Sequence, residues 1–226
     1  MRKKYLALLL AAAIFLLSGC VSGKDYRRLS DAQKSVGALK SGRITVTSSY
    51  NPAEGGSASV TEFLFRMTES GCYEYCQTQY DQNQKAVYCE YSDGAKSEQW
   101  LLGRGWSVLD STVYTAEEPH RYLKLIATPF EKKAIDDLLV SEEDGNLRYY
   151  LTLDPSVLNR TLYRDSGVEI LEEKLEVLAG SDGQLLFYCD DSRLLDKTLG
   201  EESAYRLEMQ LSDLNAVTEV PRPSLK

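Results

Sequence analysis

A single histidine, His120, stands among the 226 residues. One imidazole gives no paired-histidine zinc site and makes a Ser-His-Asp arrangement a poor expectation. In Glu117-Glu118-Pro119-His120 it reads as a solvated loop residue. Basic residues are in the minority, with 26 Lys and Arg against 34 Asp and Glu and a formal net charge of -8. The chain therefore lacks a basic patch that would neutralise phosphates, and no nucleic-acid partner is expected. Broad electrostatic docking on anionic lipid is disfavoured for the same reason, and the acidity reads as a solubility feature. Nucleophile elbow, phosphate-cradling glycine loop and zinc-protease helix motif are all missing. Pairs such as Glu142-Glu143 and Asp190-Asp191 border expected turns, where solvated charge explains them. The expectation is a protein that is not an enzyme; a carboxylate hydrolase assembled from distant residues is the one catalytic class left open. Long apolar runs are scarce too: the one at the N-terminus is shorter than the roughly 20 residues of a membrane span.

That run carries the clearest signal. Arg2, Lys3 and Lys4 precede an uncharged stretch from Tyr5 to Leu17, and Ser18 and Gly19 lead into Cys20. A basic n-region, an apolar h-region and a small-residue cleavage site make a secretory signal peptide. The string Leu17-Ser18-Gly19-Cys20 closely resembles the bacterial lipoprotein processing signal. The resemblance implies a diacylglycerol on the Cys20 thiol and cleavage before that residue. One acyl chain anchors weakly and two or three anchor stably, which implies a lipid-anchored protein on the extracytoplasmic face of the cell membrane. Cleavage removes three basic residues and takes the charge to about -11. The expected division is a signal peptide at 1–19, a lipidated N-terminus and short tether at 20–25, one domain at 26–220 and a tail at 221–226. No linker or strict repeat divides the domain.

Helical spacing of Leu29, Ala32, Val36 and Leu39 predicts a helix over 26–39, stopped at Ser41-Gly42. Alternation then predicts strands from 44, at 60–68, 72–80, 85–91, 100–109 and 111–115. Connections this short permit only an antiparallel meander. Thr128-Pro129-Phe130-Glu131 has the form of a capping box, and Phe130, Ala134, Ile135, Leu138 and Leu139 then fall on one face of an expected helix. Strands follow at 146–153, 168–179, 184–190 and 205–213, with a short helix near 157–162 and an extended piece at 216–220. The pattern predicts an α+β fold: one strongly curved antiparallel sheet of roughly nine strands, partly covered by about three helices. Fifteen tyrosines against five phenylalanines suit half-buried sheet surfaces and ligand grooves alike.

Four cysteines besides Cys20 leave three pairings open. If strands 72–80 and 85–91 pair symmetrically about their turn, Cys76 lies opposite Cys89, the favoured disulfide, with Cys72 and Cys189 as a second candidate. A metal site on Cys72-x-x-x-Cys76 is rejected, because strand positions four apart are separated by about 13 Å.

The first helix before Ser41-Gly42-Arg43-Ile44, the Thr128-Pro129-Phe130 segment, residues 142–154 and the closing 212–220 together resemble the LolA/LolB and LppX-like lipoprotein-carrier superfamily. The likeness is nearest to small lipoproteins of Gram-positive bacteria. It implies an incomplete β-barrel of about eleven strands wrapped around helices, whose concavity accepts acyl chains or lipids. The expected function is a membrane-anchored, non-catalytic lipoprotein that binds a hydrophobic ligand, without cofactor or metal. Candidate lining residues are Phe63, Phe65, Met67, Leu147, Tyr149, Leu151, Leu207, Met209 and Leu211, each of which equally reads as core beneath the helices. The alternative is a cell-surface protein-interaction or sensory module, with an envelope protein as partner and no small ligand.

Overall fold

A computed structural model describes residues 21–109, 119–161, 163–164 and 166–225. The expected signal peptide, Cys20 and the strand expected at 111–115 lie outside them. Strands β1 (Ser41–Tyr50), β2 (Ala58–Met67), β3 (Tyr73–Tyr80), β4 (Ala86–Ser92), β5 (Ser97–Leu101) and β6 (Gly105–Val108) form a first meander. A second comprises β7 (Ile135–Glu143), β8 (Asn146–Leu153), β9 (Val168–Ala179), β10 (Leu185–Asp196) and β11 (Glu201–Ser212). Pairing of β1 with β11 joins them into one antiparallel sheet ordered β6-β5-β4-β3-β2-β1-β11-β10-β9-β8-β7.

This order corrects one expectation. Among the described residues the sheet is open, with β6 and β7 as its opposite edges, and is neither strongly curved nor an incomplete barrel. Alternation and turns decide which strands are neighbours, whereas closure requires two edges to meet. Here one edge is the four-residue β6 and the other, β7, carries Asp136, Asp137, Glu142 and Glu143. Short edges and charge are what keep a sheet from pairing further.

Three α-helices are present among the described residues: α1 (Gly23–Val36), α2 (Pro119–Ala127) and α3 (Pro155–Thr161). None is long and apolar enough to cross a membrane. In α1 the Ser22 hydroxyl accepts from the Asp25 amide at 3.4 Å, so the helix begins before the predicted 26 and takes in part of the expected tether. It buries Leu29, Ala32 and Val36 against the sheet. Leu123 and Ile126 of α2 and Leu158 of α3 join the same core, which receives Ile44, Phe63, Phe65, Tyr75, Val177 and Met209 from the strands. The opposite face of the first meander is crossed by the chain's end. Arg66 donates to the Thr218 carbonyl, Arg222 pairs with Glu98 at 2.8 Å, and its guanidinium lies 4.0 Å from the Trp106 ring centroid.

The helix expected after Thr128 is not formed. Lys132–Ala134 is a single 3-10 turn, and Ile135 onward is β7. The Thr128 hydroxyl donates back to the Lys124 carbonyl at 2.9 Å, so it closes α2 and opens nothing. Pro129 then acts as a helix stop. His120, expected in a loop, belongs to α2. The segment expected as one strand at 100–109 is the end of β5 and all of β6, a hairpin turning at 102–104.

Met209 is fully buried in β11 and registers with Val46 of β1. Met209→Ala is expected to lower unfolding free energy in urea by about 2–5 kcal/mol. Leu199→Ala, at a position 68% exposed, is expected to stay within about 0.5 kcal/mol of the parent.

Candidate functional site

The covered face of the sheet is not filled everywhere. Between the helices and strands β9 and β10 lies a cavity of about 610 Å³. Its walls come from Leu125 of α2, from Pro129, Phe130 and Ala134, and from Val157 and Leu158 of α3. Lys124, Thr128, Glu131 and Thr161 contribute polar lining, and Tyr163, Glu173, Tyr188 and Asp190 complete it. Concave, largely apolar sites of this size with a few polar groups are the usual form of small-molecule sites.

Local chemistry holds these elements in place. Asp154 caps α3 through the Ser156 amide at 2.8 Å, and Pro155 supplies the preset first helical residue. The Asn159 side chain both donates to the Ile170 carbonyl and accepts from its amide, each at 2.8 Å, which fixes α3 onto β9. The Tyr26 hydroxyl donates to the Phe130 carbonyl at 2.9 Å and ties the cavity's third wall to α1.

Besides the exposed Glu131, two carboxyl groups on β9 and β10 line this apolar space. Glu173 is 6% exposed and makes no side-chain hydrogen bond to any of the described residues. It follows the parity of Leu175, Val177 and Ala179, the buried face of β9. Burial, with the nearby Asp190 charge adding to it, pushes the Glu173 carboxyl up to about 8. Asp190 is raised by burial as well, despite a 2.6 Å hydrogen bond from the Ser192 hydroxyl. The hydroxyls of Tyr163 and Tyr188 are also raised, first by burial and then by these two acids. Glu173 is accordingly a neutral acid at pH 7, held among apolar side chains.

The residues expected to line a ligand site are distributed differently. Phe63, Phe65, Tyr149, Leu151, Leu207, Met209 and Leu211 are buried core, and Met67 and Leu147 are partly buried against it. Phe63 stacks on Phe65 with centroids 5.7 Å apart, and Tyr75 lies 5.8 Å from Phe63. None of the nine borders the 610 Å³ cavity. Leu147 and Tyr149 border a second one of about 560 Å³, with Arg28 and Asp31 of α1 and the turn at 180–183. Glu173 and Asp190 were missed. The signal for Glu173 was its phase with Leu175 and Val177, and Asp190 lies inside β10, which runs to Asp196.

Cys76 is opposite Tyr91, and Cys89 is opposite Thr78, so the symmetric register is not adopted. Pairing at Cys76 is displaced two positions from that register, and one residue of the displacement arises at an irregularity between Gln79 and Tyr80, where Val87 is skipped. The two cysteines are diagonal neighbours with Sγ atoms 3.8 Å apart, and both are thiols. Their contact, in which either thiol can be the donor, lowers the Cys76 thiol and raises that of Cys89. Cys72 precedes β3 and Cys189 lies in β10, with three strands between those two. At about 4.8 Å per strand no bridge spans that gap.

No protein-family model matches the sequence, and no curated protein matches it by sequence. Solved structures share the fold. LprF from Mycobacterium bovis is similar with a TM-score of 0.52 at 11% identity, over 92% of this chain and 99% of that one. The Mycobacterium tuberculosis lipoprotein LppX is similar with a TM-score of 0.50 at 13% identity, over 88% and 100%. The chain therefore shares the fold of these two structures, at low identity.

Glu173 also predicts a pH dependence. Its carboxyl titrates near 4.5 when exposed and near 8 in the fold, so between these values the unfolded chain releases a proton the fold retains. Stability is then fully present below about 4.5, falls by up to about 1.4 kcal/mol per pH unit as pH rises, and levels off above about 8. Thermal unfolding from pH 5 to 9 should show this decline. Glu173→Gln should flatten it and raise the melting temperature at pH 8.

Proposed function

We propose that the chain is a membrane-anchored, non-catalytic lipoprotein whose helix-covered cavity holds a hydrophobic ligand such as a lipid or an acyl chain. The observation that carries this reading is the cavity of about 610 Å³ and its apolar wall of Leu125, Phe130, Val157 and Leu158. The shared architecture with LppX and LprF supports it. The leader supports anchoring: Cys20 carries the acyl chains, and α1 begins at Gly23, so the domain sits close to the extracytoplasmic surface of the membrane. The core residues Phe63, Phe65, Met209 and Leu211 support the cavity by forming the sheet's packed centre, and the ligand meets β9 and β10.

Mass spectrometry of the protein purified gently from a bacterial host should recover a bound lipid, and a fluorescent fatty-acid or phospholipid probe should bind. Val157→Trp, which fills the cavity, is expected to weaken probe binding at least tenfold with an unchanged circular-dichroism spectrum. Repeated recovery of no lipid together with no probe binding would sink the reading. Cys20→Ser is expected to move the protein from the membrane fraction to the medium or periplasm.

The contact of Cys76 with Cys89 supports a disulfide after export. An exogenous disulfide oxidant takes two electrons from the two thiols, which release two protons as the S–S bond forms. Non-reduced peptide mapping after treatment with oxidised glutathione should find Cys76 joined to Cys89, with Cys72 and Cys189 outside that bridge.

A protein-interaction module is the second reading. Leu139 and Tyr150, opposite each other on β7 and β8 and 57% and 43% exposed, favour an envelope partner at that sheet edge. It gains ground if lipid probes fail.

A further inference from the structure

The polar end of the cavity is more specific than its apolar wall. Glu173 is more than nine-tenths buried, borders the cavity and hydrogen-bonds no other described residue. Asp190 borders the same space and receives one hydrogen bond, from Ser192. Tyr188 of β10 and Tyr163 after α3 are the other titratable groups on the inner wall, and neither carries positive charge. α3 presents Val157, Leu158 and Thr161, which do not titrate here. The cationic lining residue is Lys124 of α2, which is exposed, and it is accompanied by Glu131.

Building on the hydrophobic-ligand reading above, we propose that the cavity selects an amphiphile with an aliphatic chain and an ammonium headgroup, the ammonium lodging between Glu173 and Asp190. Three ligand chemistries compete for this place. A fatty-acid carboxylate would bring a third acid against two and is disfavoured. A neutral ester or alcohol accepts a hydrogen bond from protonated Glu173 but brings no positive charge to the pair of acids. An ammonium has three N–H donors and one positive charge, enough to engage both carboxyl groups at once. The chain lies against Phe130, Val157 and Leu158.

Proton bookkeeping gives the inference a signature. A long-chain amine stays protonated through pH 9, with a proton affinity like that of a lysine side chain near 10.4. Glu173 holds its proton up to about 8, so ammonium binding below that value expels it. The affinity therefore rises with pH, by up to about tenfold per unit between 6 and 8, and flattens above. A neutral acceptor ligand behaves oppositely, losing its donor as Glu173 ionises.

The test is displacement of the neutral probe N-phenyl-1-naphthylamine from the purified full chain. Competitors are dodecylamine, dodecanol and dodecanoic acid below their micelle concentrations, at pH 6, 7, 8 and 9. Dodecylamine is expected to displace the probe at tenfold or more lower concentration than dodecanol at pH 8, with dodecanoic acid weakest. Its advantage should shrink toward pH 6. Glu173→Gln should remove the amine preference and its pH dependence while dodecanol still competes. Asp190→Asn should reduce the preference and reports independently if the first variant fails to fold. Glu172→Gln changes a neighbouring carboxylate ion-paired with Lys174 at 2.5 Å and should leave the preference intact. Loss of preference there would assign amine binding to surface charge and overturn the proposal. Equal competition by amine and alcohol, or an alcohol advantage that fades above pH 8, overturns the ammonium assignment and leaves the hydrophobic cavity standing. Failure of the probe and all three competitors to bind overturns the cavity reading itself.

Discussion

The fold depends on one long-range seam, the pairing of β1 with β11. Each meander is built from hairpins between neighbouring strands, and each could add strands without reference to the other. Eight consecutive positions, from Arg43 opposite Ser212 to Tyr50 opposite Tyr205, join the start of the first to the end of the second. Both ends of the seam are locked. At one, the Asn51 amide donates to the Ala204 carbonyl and its side chain accepts from the Ala204 amide, each at 2.7 Å. At the other, Asn215 donates to the Ser41 carbonyl at 2.8 Å and its side chain accepts from Lys40 at 2.9 Å. Register matters here because a one-residue slip would turn Ile44, Val46, Met209 and Leu211 out of the core together. Closing so long a loop costs entropy before any contact offsets it, so the seam belongs late in folding.

From the seam follows the place of the cavity. β1 and β11 sit at the middle of the sheet, and the packed centre of Phe63, Phe65, Ile44 and Met209 forms there beneath α1. β9 and β10, twelve residues each, lie to one side of that centre. α2 and α3 are nine and seven residues long, and over this side they roof the sheet without filling the space below. The cavity is thus a consequence of long strands covered by short helices. It is held open because Asn159 fixes α3 to β9 and Tyr26 fixes the Phe130 segment to α1.

Much of this was legible where period-two alternation met clear turns. Residues 146–153 and 168–179 were read to their observed limits, and β1, β2 and β4 to within a few residues. Three failures share a cause: a local signal was outvoted by a non-local one. Thr128-Pro129-Phe130-Glu131 has every residue of a capping box, yet β8 offers the next segment a ladder from Ile135 opposite Leu153 to Glu143 opposite Asn146. The β3–β4 register was lost to an irregularity beside a turn that holds Gln84 at φ 58°, which no alternation count reveals. The open edges, too, are a property of the whole sheet. Ligand contacts were sought among the most apolar strand residues, which are the ones a packed core consumes; the open space instead collected Glu173 and Asp190.

Those two acids are where the sequence departs from what packing alone favours. The strands present mainly Leu, Ile, Val, Phe, Met and Tyr to the covered face. The buried Glu90 of β4 accepts hydrogen bonds from the Tyr75 and Tyr88 hydroxyls, whereas at position 173 the core parity of β9 presents a glutamate with no hydrogen-bond partner among the described residues. Burying a carboxyl without a counter-charge is unfavourable, and replacing such a group by an apolar one of similar size is often neutral or stabilising. A second acid on the adjacent strand makes the burial worse. Natural sequences break the agreement between local pattern and packing mainly at sites kept for a purpose. A strained electrostatic arrangement inside a cavity becomes favourable once an oppositely charged group enters, so the ligand that completes the site also relieves the fold. An open sheet and a roofed cavity describe a container; in the proposed reading Glu173 and Asp190 give that container a chemical preference.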